Sequence, residues 1–369
     1  MMWVLAAILF CYAIFVFYAL YGWRKKSESE AVCHAEQPFV SIVIALRNEI
    51  RVIPALVKSL CALDYPQELI EIFVVDDHST DESYEILCEL TQGKSQFTIV
   101  RSPQQVQGKK QTLAWAVEHT KGDYILFTDA DCCFPSTWIV GYMKEIARHK
   151  SAHFFFGLVN HSEEKTCLQT WFSLDFLAMV AMQGGLAKVH KAFSCNAANM
   201  CISREFAQKE YETNETYASG DDVFLLHKAK QVSAEHVVFV QLKEAMVTTA
   251  PPESVKQFLL QRFRWASKAG GYRDGWAVAV SLMVYLTSFA VVFAALYSLL
   301  TTHYSLLAIA FGAKTGIDLV FFAFTLPYFG KTKLLAQVVV FQLFYVFYIV
   351  LIPIFALTLP TSWKGRKIT

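Results

Sequence analysis

DYILFTDAD (residues 123–131) is a short apolar run that ends in two aspartates, and LIEIFVVDD (69–77) has the same form. Apolar, β-rich runs of this length predict buried strands. Two more strands are predicted at 39–46 and 97–101, and three intervening helices at 51–63, 81–92 and 109–120. This alternation predicts an α/β fold with a mostly parallel sheet that is covered on both faces. Ligands of such sheets bind beyond the carboxyl ends of the strands, where both aspartate pairs fall.

The 369-residue chain is rich in apolar residues, with 54% hydrophobic and 18% charged residues, and the excess lies in 2–22 and after Trp276. The middle has the composition of a globular domain, so we predict one or two domains between membrane segments. A net charge of +1 argues against a nucleic-acid partner, which needs a basic face. The nine cysteines include no Cys-x-x-Cys pair, which argues against a disulfide framework or zinc site and suits a reducing cytoplasm.

An N-terminal membrane anchor is predicted at residues 1–23. Residues 2–22 are nearly all apolar and are long enough to span a hydrocarbon core of about 30 Å. The stretch lacks a preceding basic region and a following Ala-x-Ala site, so a retained anchor is favoured over a cleaved signal peptide. Arg24, Lys25 and Lys26 follow at once, which predicts an external N-terminus and a cytoplasmic domain. We expect an integral protein of the bacterial inner-membrane type.

A second membrane region, of two or three transmembrane helices, is predicted at 276–360, followed by a basic tail at 361–369. Its third apolar run contains Pro353, and two alternatives remain for that run. Three crossings would put the tail outside, whereas its basic residues favour the inside and a re-entrant or interfacial third segment. Lys314 and Asp318 lie one turn apart in this region. They could form a structural ion pair or contact a lipid acceptor.

Asp129 and Asp131 are candidate ligands of a divalent metal. Mg²⁺ and Mn²⁺ prefer hard oxygen ligands, and a bound diphosphate and water can complete the coordination of a few carboxylates. The alternative is a pair of solvated turn carboxylates, but their place after a buried strand favours the metal.

The acids that end the second predicted strand, Asp76 and Asp77, are candidates for binding a base or ribose hydroxyls. The alternative is a helix-capping pair, although 79–81 (Ser-Thr-Asp) can fill that role instead. Gly108-Lys109-Lys110 opens a predicted helix, and a helix N-terminus with lysine suits phosphate.

Two further motifs carry candidate catalytic residues. Asp221 and Asp222 follow Gly220 and open an apolar helix, where one of them could act as a general base or both could complement the helix dipole. Gln261 shares a predicted helix face with Arg264 and Trp265. These side chains could hold a departing diphosphate or stack on a sugar, and the alternative is a juxtamembrane basic-aromatic stretch.

Residues 38–275 resemble a membrane-bound family 2 glycosyltransferase with the Rossmann-like GT-A fold. The motifs that carry the resemblance are SIVIALRNE (41–49), VDDHSTD (75–81), TDAD (128–131), CNAANM (195–200), GDD (220–222) and QRFRW (261–265). The chain departs from the family pattern at His78 and Ala197, where the family has glycine, and at Gly-Asp-Asp, where the family usually has Glu-Asp.

The resemblance implies a metal-dependent, inverting, hexosyltransferase-like enzyme that uses a nucleotide-sugar donor and a lipid or glycan acceptor for the glycolipids or polysaccharides of a cell envelope. It makes Asp222 the catalytic base and Gln-x-x-Arg-Trp the diphosphate motif. The implied nucleotide-sugar-binding residues are Ala45, Asn48, Glu49, Asp76, Asp77, Lys109, Asp129 and Asn199. Two rival interpretations are a non-catalytic transferase-like membrane module, which should have lost its acidic motifs, and a nucleotidyltransferase, which would not need Gln-x-x-Arg-Trp.

Overall fold

A mixed, mostly parallel sheet forms the centre of the domain predicted at 38–275 in the computed structural model, which describes residues 2–25, 37–211, 221–267, 271–358, 361–363 and 366–368. The sheet has seven strands in the order β3-β2-β1-β4-β7-β5-β8. The strands of the chain are β1 Val40–Leu46, β2 Ile70–Asp76, β3 Phe97–Arg101, β4 Tyr124–Phe127, β5 Phe154–Gly157, β6 Val159–His161, β7 Met200–Ser203, β8 Val237–Val240, β9 Val247–Thr249, β10 Thr361–Trp363 and β11 Arg366–Ile368.

Helices cover the sheet and continue into the apolar regions. They are α1 Met2–Arg24, α2 Ile53–Cys61, α3 Ser83–Thr91, α4 Lys109–His119, α5 Trp138–Arg148, α6 Cys167–Ala187, α7 Arg204–Glu210, α8 Asp221–Val232, α9 Val255–Ala266, α10 Gly275–Thr301, α11 Ser305–Thr325 and α12 Val338–Thr358. Strands β1 to β4 pair in parallel, and β7 is antiparallel to both β4 and β5. The predicted α/β class is confirmed.

The strand before Asp129 is shorter than predicted. The sequence predicted a strand over 123–131, but β4 ends at Phe127, the last residue that pairs with β1 and with β7. Because β7 begins at Met200 opposite Phe127, and the pairing with β1 also ends there, the sheet offers residues 128–131 no ladder to continue. It turns instead, and the Cys132 N–H donates to the Asp129 carbonyl at 3.1 Å. Both acids of the motif therefore lie in a loop beyond the sheet.

Helix α1 docks on the catalytic domain by direct backbone contact with α6. A Cβ atom on Gly22 would lie 1.9 Å from the Gly185 carbonyl oxygen, and one on Gly185 would lie 2.2 Å from that of Ala19. Only glycine permits this approach, since any side chain would force the helices apart. At the end of α1, Trp23 contacts Phe239 of β8 with 6.2 Å between ring centroids. The anchor and the domain therefore pack as one unit.

Within the described residues, four helical segments are long and apolar enough to cross a membrane: Met2–Arg24, Gly275–Thr301, Ser305–Phe329 and Thr332–Phe355. Lys314 and Asp318 are buried between them as an ion pair with an N–O distance of 2.7 Å. Gln342 of α12 bonds to both side chains, and the Tyr12 hydroxyl of α1 donates to Asp318 at 2.6 Å. These contacts agree with the interpretation as a structural ion pair, because each charge has several buried partners.

Helix α12 runs along the catalytic domain rather than away from it. Just before it, Lys331 pairs with Glu164 at 2.9 Å, and the Asn160 amide donates to the Phe329 carbonyl. The helix continues through Pro353, and its second half packs on α6 and α9. Both ends thus lie beside the domain, which favours the interfacial alternative. The hairpin of β10 and β11 contacts α9, whereas residues 364, 365 and 369 of the predicted basic tail lie outside the described residues, as does Lys26.

Candidate active site

The end of β2 ties two loops of the site together. Asp76 and Asp77 are almost completely buried, and both carboxylate oxygens of Asp77 accept from the Gly108 N–H at 3.1 Å. Gly108 has a φ of +89°, which glycine adopts without strain, and Lys109 opens α4 immediately after it. Asp76 Oδ2 accepts from the Ser79 N–H, whereas its buried Oδ1 has no hydrogen-bond partner within the described residues.

His78 retains the backbone conformation that the family's glycine would adopt. Its φ is +54°, in the left-handed region, which costs a residue with a side chain about 1–2 kcal/mol. The imidazole lies 3.2 Å from Ser102 Oγ and 3.3 Å from the Val106 carbonyl, and Arg47 donates to the His78 carbonyl at 2.9 Å. These contacts offset the strain and connect the β2 turn with the loop that leads to Lys109.

The predicted residues that follow β1 are held close to the β2 turn. Asn48 also has a positive φ, +52°, and its side-chain oxygen accepts from the Thr80 N–H at 2.8 Å. The Glu49 N–H donates to Ser83 Oγ at 2.8 Å. Ala45 is the one residue of β1 that is not buried. The three predicted nucleotide-sugar residues therefore lie at the same edge of the sheet as Asp76.

The two acids after β4 face different partners. Lys109 Nζ donates to Asp129 Oδ1, whereas Asp131 Oδ2 accepts from the Thr249 hydroxyl at 3.3 Å. Burial raises the pKa of Asp131, and the charges of Asp129 and Glu49 raise it further, against a smaller opposing effect of Lys109. Three carboxylates thus lie close enough to destabilise one another's charges.

This arrangement fits a divalent cation that is shared with a ligand. A cation would relieve the repulsion among the carboxylates, and Asp129 and Asp131 present the hard oxygen atoms that it prefers. The described part of the chain contains no group of three His, Cys, Asp or Glu side chains in a metal-binding arrangement. Other oxygen atoms, such as those of a diphosphate, would have to complete the coordination.

Lys109 interacts with several of the charged side chains in the cleft. Burial alone would lower its pKa, but the carboxylates of Asp129, Asp131 and Asp222 raise the pKa above its ordinary value. The charge of Asp129 also acts on Arg264, where it opposes the lowering of the Arg264 pKa by burial. The Gly-Asp-Asp and Gln-x-x-Arg-Trp motifs therefore converge on the acids after β4.

The predicted base, Asp222, lies in the first turn of α8. Its Oδ2 accepts from the Ala197 N–H at 3.3 Å, which connects the helix to the 195–200 loop. Burial raises the pKa of Tyr272, and the charge of Asp222 raises it further, so these two side chains interact electrostatically. Asp221 is the first residue of α8, and Gly220 lies outside the described residues.

Asn199 occupies a different environment from the one that the motif implied. Its side chain is fully buried, and its oxygen accepts from Trp138 Nε1 at 2.9 Å and from the Tyr142 hydroxyl at 2.8 Å. Its nitrogen donates to the carbonyls of Leu158 and Ala245. All four bonds of the amide are made within the protein, so Asn199 holds the loop in place, and the structure gives it no atom for a sugar.

Helix α9 presents the Gln-x-x-Arg-Trp residues on neighbouring faces. Arg264 interacts electrostatically with Asp129, as described above, while Gln261 and Trp265 both contact Arg262. Ser254 caps the helix by accepting from the Gln257 N–H at 3.2 Å. The helix starts two residues later than the predicted start near Glu253, which leaves the positions of the motif unchanged.

Two residues of the cleft were not predicted, namely Thr249 and Tyr272. Thr249 ends a three-residue strand, β9, whose partner β6 is also only three residues long. Such strands have little periodic signal of their own. The tertiary fold brings the Thr249 hydroxyl to Asp131 and places Tyr272 within electrostatic range of Asp222. The cleft therefore contains carboxylates that could bind a cation or accept a proton. It also contains a lysine and an arginine that could bind phosphate oxygens.

A mostly parallel sheet with a polar cleft beyond the carboxyl ends of its strands is typical of α/β domains that bind nucleotides. Residues 41–179 match the family model described as "Glycosyl transferase family 2". The chain therefore carries a family 2 glycosyltransferase domain with a GT-A-like fold.

The chain is similar to several known glycosyltransferases. It is 37% identical over 114 residues to the beta-monoglucosyldiacylglycerol synthase of Nostoc sp., and this match covers 31% of this chain and 24% of that protein. It is 28% identical over 251 residues to the probable glycosyltransferase YdaM of Bacillus subtilis, covering 66% of this chain and 56% of YdaM. The matched parts thus span about a quarter to somewhat over half of these relatives' lengths.

The mannosyltransferase PcManGT from Pyrobaculum calidifontis, solved in complex with GDP-Man and Mn²⁺, has a similar fold. Its TM-score is 0.57 at 18% identity, and the match covers 93% of this chain and 99% of that chain. The similarity extends over nearly the whole chain, including the helices that follow the domain, and at this identity it concerns the fold.

Proposed function

We propose that the protein is an inverting glycosyltransferase that moves a sugar from a nucleotide-diphosphate sugar to a hydroxyl of a lipid or glycan at the membrane surface. One observation carries the proposal: Lys109 Nζ pairs with Asp129 in the cleft, and the charges of Asp131 and Asp222 also act on this lysine. A proton acceptor and the groups that bind a diphosphate are therefore adjacent, as a single displacement at an anomeric carbon requires.

In the proposed reaction Asp222 accepts the proton of the acceptor hydroxyl while its oxygen attacks the anomeric carbon from the face opposite the diphosphate. Lys109 and Arg264 lie beside Asp129 and would donate to the oxygens of the departing diphosphate. Asp129 and Asp131 would hold a divalent cation, Mg²⁺ or Mn²⁺, which supplies further charge for the leaving group when it is bound. The Mn²⁺ in the structure of the mannosyltransferase supports this assignment.

A membrane lipid is the acceptor that the chain supports best. The name of the Nostoc relative identifies a diacylglycerol glycolipid synthase. In this chain α9, which carries Arg264 and Trp265, packs directly on the apolar helix α12. An acceptor that is embedded in the membrane surface would reach the cleft along these helices.

The proposal is tested by incubating the purified protein in detergent with Mn²⁺, diacylglycerol and, in turn, UDP-glucose, UDP-galactose, UDP-N-acetylglucosamine and GDP-mannose. We expect one donor to release nucleoside diphosphate together with a glycolipid of inverted anomeric configuration. Release of pyrophosphate would identify a nucleotidyltransferase instead. Absence of any product with an extended donor and acceptor panel would favour the non-catalytic interpretation.

The catalytic domain is proposed to face the cytoplasm, where nucleotide sugars are made. Arg24 and Lys25 end α1 on the side of the domain, which follows the positive-inside rule. The contact of β10 with α9 supports a tail on the same side. Helix α12 would then lie at the interface, and only α1, α10 and α11 would cross.

Reporter fusions test this orientation. A reporter placed after residue 37, after residue 332 or at residue 369 is expected to behave as cytoplasmic, and one placed after residue 302 as external. An external signal at residue 369 alone would show that α12 crosses the membrane. An external signal at residue 37 would contradict the nucleotide-sugar donor itself, because a domain outside would have to use a lipid-linked sugar.

A further inference from the structure

Arg262 of α9 lies between Gln261 and Arg264 in the sequence, and its side chain faces away from the acids that follow β4. It is buried, and its guanidinium lies between two rings of its own helix, 4.6 Å from the Phe258 centroid and 4.2 Å from that of Trp265. Its Nη1 donates to Gln261 Oε1 at 3.0 Å. Arg262 therefore contacts two of the three side chains of the Gln-x-x-Arg-Trp motif.

The partner of Arg262 is a buried carboxylate from another helix of the domain, Asp175 of α6. Arg262 Nε donates to Asp175 Oδ2 at 2.7 Å, and Nη2 pairs with the same oxygen. The two side chains are only 8% and 11% exposed. A buried ion pair is costly unless each group is fully hydrogen-bonded and well aligned, so its geometry is strongly constrained.

The second oxygen of Asp175 is bonded to a residue of α12. The Tyr348 hydroxyl donates to Asp175 Oδ1, and its ring packs edge-on against Phe258 at 5.4 Å between centroids. Phe258 in turn stacks on Phe172 of α6 at 4.4 Å. One carboxylate thus connects the domain, the motif helix and the apolar helix that follows the domain.

We propose that Tyr348, Asp175 and Arg262 are positioning residues for the Gln-x-x-Arg-Trp helix, and that α12 thereby forms part of the catalytic apparatus as well as of the membrane region. The three side chains fix the rotation of α9, and this rotation decides whether Arg264 faces Asp129. The predicted change in kcat rests on the proposed function. The predicted rigidity of α9 does not, because it can be measured without any substrate.

The test uses the full-length protein with Tyr348→Phe, which keeps the ring and removes the bond to Asp175. With the donor found in the screen above, we expect kcat to fall about tenfold, since small misplacement of catalytic groups is costly. KM for the donor should stay within about twofold, because the other donor-binding residues are unchanged. Without substrate, amide hydrogen exchange over residues 255–266 should become faster.

Tyr12→Phe is the matched control. Tyr12 is 6% exposed, like Tyr348, and its hydroxyl also donates to a buried carboxylate, that of Asp318, but away from α9. Its loss should lower the melting temperature by a similar amount without changing kcat or the exchange of α9. Equal loss of kcat in the two variants, or unchanged exchange of α9 in Tyr348→Phe, would overturn the proposal.

A double variant tests whether Arg262 and Tyr348 affect kcat through the same contact or independently. Arg262→Lys cannot bind a carboxylate through two nitrogens, and we expect a loss of kcat of about a hundredfold. Adding Tyr348→Phe to it should lower kcat no further if both act through Asp175, whereas multiplied effects would contradict a common role. Absence of transfer in the unmodified protein would refute the proposed function, and hydrogen exchange would still decide the role of Tyr348 in holding α9.

Discussion

Replacing Asp222 with asparagine should lower the rate of sugar transfer by about 10³-fold or more while leaving nucleotide affinity within about threefold of the original. An amide cannot take the proton of the acceptor hydroxyl, and general-base catalysis contributes about 10²–10⁴-fold. The loop beside it should remain in place, because the asparagine oxygen can still accept from the Ala197 N–H. Steady-state release of nucleoside diphosphate and calorimetric binding of the same diphosphate measure the two quantities.

Asp274→Asn is the control for this variant. Asp274 also begins a helix, α10, where its carboxylate accepts from the N–H groups of Trp276 and Ala277. Asparagine caps helices about as well as aspartate does but loses the ion pair of Asp274 with Lys230 of α8, so this variant should be less stable and still transfer sugar at nearly the original rate. Full activity of Asp222→Asn, with Asp274→Asn also active, would remove Asp222 as the base.

The sheet and the position of the cleft could be predicted because local patterns determine them. An apolar run such as 40–46 needs two covered faces, and acids directly after a buried run must lie at the carboxyl edge of the sheet. The end of β4 could not be predicted in the same way. It depends on where the antiparallel strand β7 begins, some seventy residues later in the chain.

The role of Asn199 shows why motifs identify a site better than they identify each contact. The sequence places an asparagine in a loop near the predicted sugar, but its neighbours Trp138 and Tyr142 come from a distant helix. Whether an asparagine side chain faces a ligand or the core depends on such long-range partners. Tyr348 was likewise hidden in an apolar run, where its hydroxyl has meaning only once Asp175 lies opposite.

Removing the carboxylate of Asp131 should abolish the metal dependence of nucleotide binding. Among the described residues the protein offers the cation few carboxylates, so the loss of one should weaken nucleotide affinity in Mn²⁺ to the level measured with EDTA. Turnover should fall by about 10²-fold or more, because the charge on the leaving diphosphate would lose its main compensation. Calorimetry of nucleoside diphosphate binding with Mn²⁺ and with EDTA measures the first effect for Asp131→Ala.

The neighbouring residue Thr249 supplies the control, because its hydroxyl donates to Asp131 Oδ2 without being a metal ligand itself. Thr249→Val preserves shape and both carboxylates, and should weaken the metal-dependent affinity by no more than about tenfold, as loss of an outer hydrogen bond does. If Asp131→Ala binds the nucleotide with unchanged metal dependence, the two acids after β4 are not the metal site. The repulsion that raises the pKa of Asp131 would then have to be relieved by Lys109 and Arg264 alone, and the donor would bind without a cation.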